Sequence, residues 1–265
     1  WREQGYKPVA YSAGPTYDFH HALRLASGHE AYTLDSYFHK SDQLSYLLTR
    51  YSESSRISLI HARSNYFDTL SPLQSSWSEE QRVPQGSPAD LARASKTPII
   101  LVIDATEFRF TNLSYLKGLL DFREHEVVAG LILAGLEEEK IKDFKRQVEA
   151  ELGLPLLGTV SLPLLEEDIP GLAGIVPDIY EDMMLKKIDN LRRELHHSLD
   201  TNRILQIADQ APKLDQDLPQ SLFRAQRLLG FEDRRYRLGL AYDDAFSYCY
   251  HEYLDVLEEQ GAELV

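Results

Sequence analysis

Apolar residues in this 265-residue chain fall into short runs that alternate with amphipathic stretches. Runs at residues 8–13, 56–61, 98–104, 127–134 and 155–160 have the length and β-branched content of strands. Between them the apolar period lengthens. Residues 41–53 place Leu44, Leu47 and Leu48 on one helical face. Pro88–Ser95 opens with Ser87 as N-cap and Pro88 at the first helical position. Residues 112–122 and 137–152 complete the set, the latter stopped by Gly153. Strand-helix alternation predicts an α/β fold, a mainly parallel sheet with helices on both faces. All five strands are expected in one sheet, each connection being long enough for a crossover. The run Pro-Ile-Ile-Leu-Val-Ile-Asp at 98–104 suits a strand covered on both faces.

Helices are also expected at 178–195 and 199–208, and 71–86 is a polar loop long enough to act as a lid. Residues 212–219 are polar and proline-bounded. Beyond them come a short helix near 221–230, a strand at 236–241 and a helix at 250–260. The division this suggests is a first domain over 1–211, a linker over 212–235 and the start of a second domain over 236–265. So short a tail cannot bury its own core and is ordered only by packing on the first domain or on another chain. The first residues resemble the end of a helix and the last ones the start of a strand, so an excerpt of a longer protein is expected.

Charge narrows the choice of partners. Asp plus Glu number 42 against 28 Lys plus Arg, a formal charge of −14. That balance argues against nucleic acid and anionic membranes, both of which need a cationic face. Cys249 is the single cysteine, so no intrachain disulfide forms, and a cytoplasmic location is expected. No apolar run approaches a membrane span.

The stretch from Lys7 to Asp35 carries the most specific pattern. It holds Ser12, Gly14-Pro15-Thr16-Tyr17, Ser27-Gly28 and Thr33-Leu34-Asp35. Further along stand His61-Ala-Arg-Ser-Asn-Tyr-Phe-Asp68, Gly86-Ser-Pro-Ala-Asp-Leu-Ala-Arg93, Ala129-Gly-Leu-Ile-Leu-Ala-Gly135 and Ala241-Tyr-Asp-Asp-Ala-Phe-Ser-Tyr-Cys-Tyr250. In this order the motifs resemble those of the cobyrinate a,c-diamide synthases, ATP- and glutamine-dependent amidoligases of corrin biosynthesis. The resemblance implies a P-loop-type, dethiobiotin-synthetase-like first domain followed by the first strand and helix of a class I glutaminase-like domain. It implies ATP and Mg²⁺ as the family's cofactors and a small-molecule carboxylate as ligand. By family position, Ser12, Gly14, Thr16, Tyr17 and Asp35 are the substrate-binding candidates, and Asp68 and Asp104 the catalytic ones.

The turn formers survive and the charges do not. Ser12 stands where the family has Lys, Thr16 and Phe19 where it has Asp, and Thr33 where it has Asn. His61 occupies the position of a carboxylate near Mg²⁺, and a neutral imidazole is a poor substitute for a hard-cation ligand. No Gly-x-x-x-x-Gly-Lys-Thr loop occurs in these residues, so no cofactor is expected for this chain. Cys249 and His251 lie two apart near a helix start and do not face each other. Asp68 has a competing role in a local turn, and Asp104 as a cap of the turn that follows it. The pairs His20-His21 and His196-His197 lack the further partners that zinc requires.

The expected function is that of a catalytically compromised relative of the family. Two alternatives stand beside it: an active amidoligase on another carboxylate, with its phosphate loop and glutaminase Cys outside these residues, and a non-enzymatic binding or scaffold protein, possible as a homo-oligomer.

Overall fold

In the computed structural model of the chain, the residues described are 1–14, 19–69, 83–122, 128–160, 181–214, 236–243, 246 and 249–265. The first sheet has β1 (Val9–Ala13) at its centre, between β2 (Ala31–Leu34) and β3 (Ser58–His61). The second has β5 (Val128–Ala134) between β4 (Ile99–Asp104) and β6 (Leu156–Val160). Every pairing in both is parallel. A third, two-stranded parallel pair joins β7 (Tyr236–Leu238) to β8 (Ala262–Leu264).

Helices cover both faces, as the alternation of side chains along each strand requires. On β1, Val9 and Tyr11 face Leu44, Leu47 and Leu48 of α2 (Ser41–Ser52) and Leu91 of α3 (Pro88–Ser95). α1 (His20–Ser27) also packs on β1 and β2. On β5, Leu131 and Leu133 meet Leu113 and Leu116 of α4 (Phe110–Asp121) and Val148 of α5 (Glu138–Leu152). The intervening Ile132 joins Ile204 and Ile207 of α7 (Thr201–Asp209), on the opposite face. α6 (Glu181–Ser198) lies against α1 and β6.

Several local signals act as the sequence implies. Ser87 Oγ accepts a hydrogen bond from Asp90 N, a helix cap that satisfies one otherwise orphaned donor. Gly153 ends α5 in the left-handed conformation at φ 67°. Two expectations need correction. The five predicted strands do not form one sheet among the described residues; they divide between two. The 98–104 run is not covered on both faces either, since Val102 is 64% exposed. The division follows from pairing: no described strand pairs with the outer edge of β3 or of β4. The predicted helix at 221–230, most of the 71–86 loop, and Thr16 and Tyr17 lie outside the described residues.

The tail is anchored on the first sheet by α8 (His251–Glu259). Val256 joins the cluster around Leu44. Arg50 of α2 pairs with Asp255 at 3.5 Å and with Glu259, while Tyr51 donates its hydroxyl to Asp255. His251 Nε2 lies 3.1 Å from Glu30 Oε2. Glu252 goes furthest in. It is 2% exposed, and its Oε1 accepts the Thr33 backbone N–H at 2.8 Å while Oε2 has no hydrogen-bond partner. Thr33 Oγ1 in turn lies 3.0 Å from His20 Nε2.

Burial holds the Glu252 carboxyl above the usual glutamate range. A raised carboxyl pKa means that the folded state binds the proton more tightly than the unfolded chain. The contribution of Glu252 is therefore full at acid pH and is lost as pH rises through its raised value. Glu252→Gln keeps the acceptor for Thr33 without the charge. It is expected to melt above the wild type at neutral pH, with the gap closing towards acid. Glu252→Ala loses the bond outright and should cost about 1–3 kcal/mol. A Gln variant less stable than wild type at neutral pH would contradict this account.

Candidate functional site

Parallel strands deliver their C-terminal ends to one side of a sheet, where the connections open a crevice. In the first sheet that crevice is a cavity of about 350 Å³, within the usual range for small-molecule sites. Ala13 and Gly14 line it from the end of β1, Leu34, Asp35 and Ser36 from the end of β2, Arg63, Ser64 and Thr69 from the segment after β3, and Ser87 and Leu91 from α3. Gly14 has φ +81° and donates its N–H to Leu34 O at 2.8 Å, closing the floor between β1 and β2. Gly86 has φ +82°, and a Cβ there would stand 3.2 Å from Tyr37 Cβ. Its N–H donates to Asp90 Oδ2 at 3.0 Å, which ties the loop to the start of α3.

Asp35 is the buried carboxylate of this wall, 3% exposed. Oδ1 accepts the Tyr37 N–H at 2.8 Å, and Oδ2 has no hydrogen-bond partner. Burial raises its pKa, the bond from Tyr37 only partly opposing the shift. Ser36 Oγ beside it is likewise buried without a partner. Arg63 adds a cation to the lining, its guanidinium 5.4 Å from the Phe19 ring centre. The cavity thus combines an apolar floor, an acidic corner and a basic rim.

The remaining candidates separate. Ser12 is buried at the level of Thr33 and His61, its neighbours across the three strands. His61 ends β3 with its ring 5.0 Å from Phe19, and burial together with Arg63 lowers its pKa, favouring the neutral imidazole. Asp68 accepts from Asn65 Nδ2 at 2.6 Å and donates its N–H to Asn65 O, an exposed local turn. Asp104 belongs to the other sheet. It accepts from Thr106 N at 3.0 Å and Thr106 Oγ1 at 2.6 Å, and these bonds pull its pKa down. Cys249 has its thiol pushed up by burial, the opposite of an activated nucleophile, and His251 beside it is engaged by Glu30. Sequence reasoning singled out neither Arg63 nor Ser36; Ser36 follows Asp35 directly in the chain, while only the fold brings Arg63 into the same cavity.

These donors do not suit Mg²⁺, which takes oxygen ligands in tight octahedral geometry. His61 offers a ring nitrogen, one oxygen of Asp35 is taken by Tyr37, and Asp104 lies on another sheet. Among the described residues no group of three His, Cys, Asp or Glu side chains could hold a metal ion.

The architecture defines an α/β protein of parallel sheets with a crevice at the strand ends. No protein-family model matches the chain. It is nonetheless similar over its whole length to cobyrinate a,c-diamide synthases. That of Priestia megaterium is 23% identical over 272 residues, covering 100% of this chain and 54% of the relative. That of Archaeoglobus fulgidus is 26% identical over 267 residues, 99% of this chain and 54% of the relative. That of Limosilactobacillus reuteri is 27% identical over 271 residues, 98% of this chain and 54% of the relative. The chain spans about half the length of these synthases. Among solved structures, chloroplast FtsY from Physcomitrella patens matches with a TM-score of 0.42 and 17% identity, over 71% of this chain and 57% of that one.

The acidic corner has a measurable consequence. The raised Asp35 pKa means that its contribution to stability declines as pH rises through the shifted value. Asp35→Asn keeps the acceptor for Tyr37 and removes the charge. In melts from about pH 4 to about pH 8 it is expected to gain on the wild type towards neutrality. An Asn variant that loses ground as pH rises would contradict this.

Proposed function

We propose that this chain is a catalytically compromised relative of the cobyrinate a,c-diamide synthases that keeps a ligand crevice without the groups for phosphoryl transfer. The observation that carries this reading is the make-up of the strand ends. A cavity of small-molecule size survives there, lined by both Asp35 and Arg63. Yet the position where the resemblance implies a metal carboxylate holds His61, whose pKa is lowered by burial and by Arg63. Positioned Mg²⁺ and phosphate ligands do most of the work in phosphoryl transfer, so a site without them binds more readily than it reacts. The ligand this reading favours is a small carboxylate, held by the Arg63 guanidinium, with Asp35 and Ser36 as hydrogen-bonding groups. The relatives' name points to cobyrinate as the first compound to try, with one of its carboxylate arms as the group that would enter the cavity.

A second reading, an active amidoligase, draws on the whole-length similarity to synthases. Calorimetry on the full-length protein separates the two, because the active reading places its phosphate loop outside these 265 residues. Mg-ATP is expected to give no heat of binding there or with the 265-residue chain, and His61→Glu alone is expected not to create any. Cobyrinic acid is expected to bind, and Arg63→Ala to weaken it by roughly tenfold or more, the worth of a charge-assisted bond. Micromolar Mg-ATP binding would overturn the compromised reading in favour of the active one. An inert Arg63→Ala would remove the crevice as the ligand site.

A further inference from the structure

The outer edge of β2 is met by a side chain from the tail. In a parallel ladder the backbone groups of successive residues face opposite sides. Leu34 O faces β1, where it accepts the Gly14 N–H at 2.8 Å, so the Thr33 N–H points away from β1. A buried N–H in that position needs an acceptor. Glu252 of α8 supplies it, Oε1 accepting the bond at 2.8 Å. The Thr33 hydroxyl is engaged as well, 3.0 Å from His20 Nε2 of α1, and the Tyr250 ring at the start of α8 stands edge-on to that imidazole at 5.7 Å. Thr33, His20 and Glu252 are all buried.

A carboxylate is a costly group for this place. α8 has other anchors: Val256 in the cluster around Leu44, the pairs of Asp255 and Glu259 with Arg50, and the Tyr51 hydroxyl on Asp255. Glu252 adds little holding power to these, because burying an acid with Oε2 unpartnered offsets much of what its one bond contributes. The bond instead fixes β2 at a single residue, and that residue stands at the entrance to the crevice. Leu34, Asp35 and Ser36 follow it and line the cavity, whereas α8 lies outside the lining. Beyond them the chain turns on local bonds, Asp35 Oδ1 accepting the Tyr37 N–H at 2.8 Å and Asp35 O the His39 N–H at 2.9 Å. The acidic corner thus depends on the end of β2, which Gly14 holds from one side and Glu252 from the other.

We propose that Glu252 is a positioning residue of the crevice: through the Thr33 backbone it fixes the end of β2, so that the docking of α8 and the order of the corner around Asp35 and Ser36 are coupled. Such coupling is a free energy shared between two places, and it is reciprocal. Loosening α8 frees the corner, and a ligand that orders the corner tightens α8. Glutamine at position 252 preserves the acceptor and with it the coupling. Aspartate, one methylene shorter, withdraws the acceptor from Thr33 while keeping the charge. The ligand half of this inference rests on the proposed function; the structural half, the ordering of the corner by Glu252, needs only the fold.

Amide exchange in the 265-residue chain reads the structural half. Gly14, Tyr37 and His39 report on the corner, since their N–H groups bond to Leu34 or Asp35. In Glu252→Ala these three are expected to exchange faster by roughly tenfold or more, and Ala89 and Leu91 of α3 by no more than about twofold. Glu252→Gln is expected to restore the wild-type rates. Glu252→Asp, which keeps a charged side chain should the alanine variant fold poorly, is expected to repeat the acceleration. Val148→Ala, in the core of the second sheet, is the control: it lowers the melting temperature without singling out the three corner amides. Equal acceleration of corner and α3 amides in Glu252→Ala, or no rescue by glutamine, would overturn the proposal. Calorimetry with cobyrinic acid reads the ligand half, where Glu252→Ala is expected to weaken binding by roughly tenfold and Glu252→Gln to leave it unchanged. If cobyrinic acid does not bind, or Arg63→Ala is inert, the proposed function falls and the exchange rates alone decide on Glu252. Binding that Arg63→Ala weakens and Glu252→Ala leaves untouched would overturn the coupling and spare the proposed function.

Discussion

The backbone ladder on either side of β1 is the constraint from which the rest of this protein follows. Parallel pairing sets Ser12 level with Thr33 on one side and His61 on the other, and it sends all three strands out of the sheet in one direction. Only then do Gly14, Asp35 and Arg63, distant in sequence, line one cavity. The side-chain period of two does the rest. Tyr11 and Val9 are committed to the α2 and α3 side, and a slip of one residue would turn Ser12 into that apolar layer and Tyr11 out of it. The cavity is therefore no more stable than this register, and anything that loosens β1 opens the crevice.

The same sheet explains why the tail is held as it is. Leu44, Leu47 and Leu48 cover one face of β1, and Val256 of α8 extends that layer. A helix added at this position brings its polar residues against the strand beside it, and Glu252 meets the Thr33 N–H. A buried hydrogen-bonded acid contributes less than it would cost to leave its partner bare. The surrounding ion pairs of Arg50 are partly exposed and contribute little individually. The apolar layer thus supplies the affinity of α8 for the sheet, and Glu252 with Thr33 supplies its orientation.

Much of this fold was legible in the chain because it depends on local signals. Ser87 with Pro88 announced α3, Gly153 announced the end of α5, and the β5 run was apolar enough to be recognised without neighbours. α1 and β2 were not recognised. α1 has no side-chain cap at its start, and β2 is four residues long with a tyrosine and a threonine diluting its apolar content. The buried Glu252 was invisible for another reason: its burial depends on a contact with Thr33, more than two hundred residues away, that no periodicity encodes. In the crevice, Asp35 carried a family pattern and was singled out, whereas Arg63 and Ser36 acquire meaning only from the cavity they line.

The division into two sheets shows what an apolar run does and does not encode. The sequence of β4 specifies the environment that such a strand suits, with neighbours on each side and helices above and below. Exposure measured on the fold reports the environment actually supplied by the described residues. When the two disagree at an isolated position, a surface valine needs no explanation.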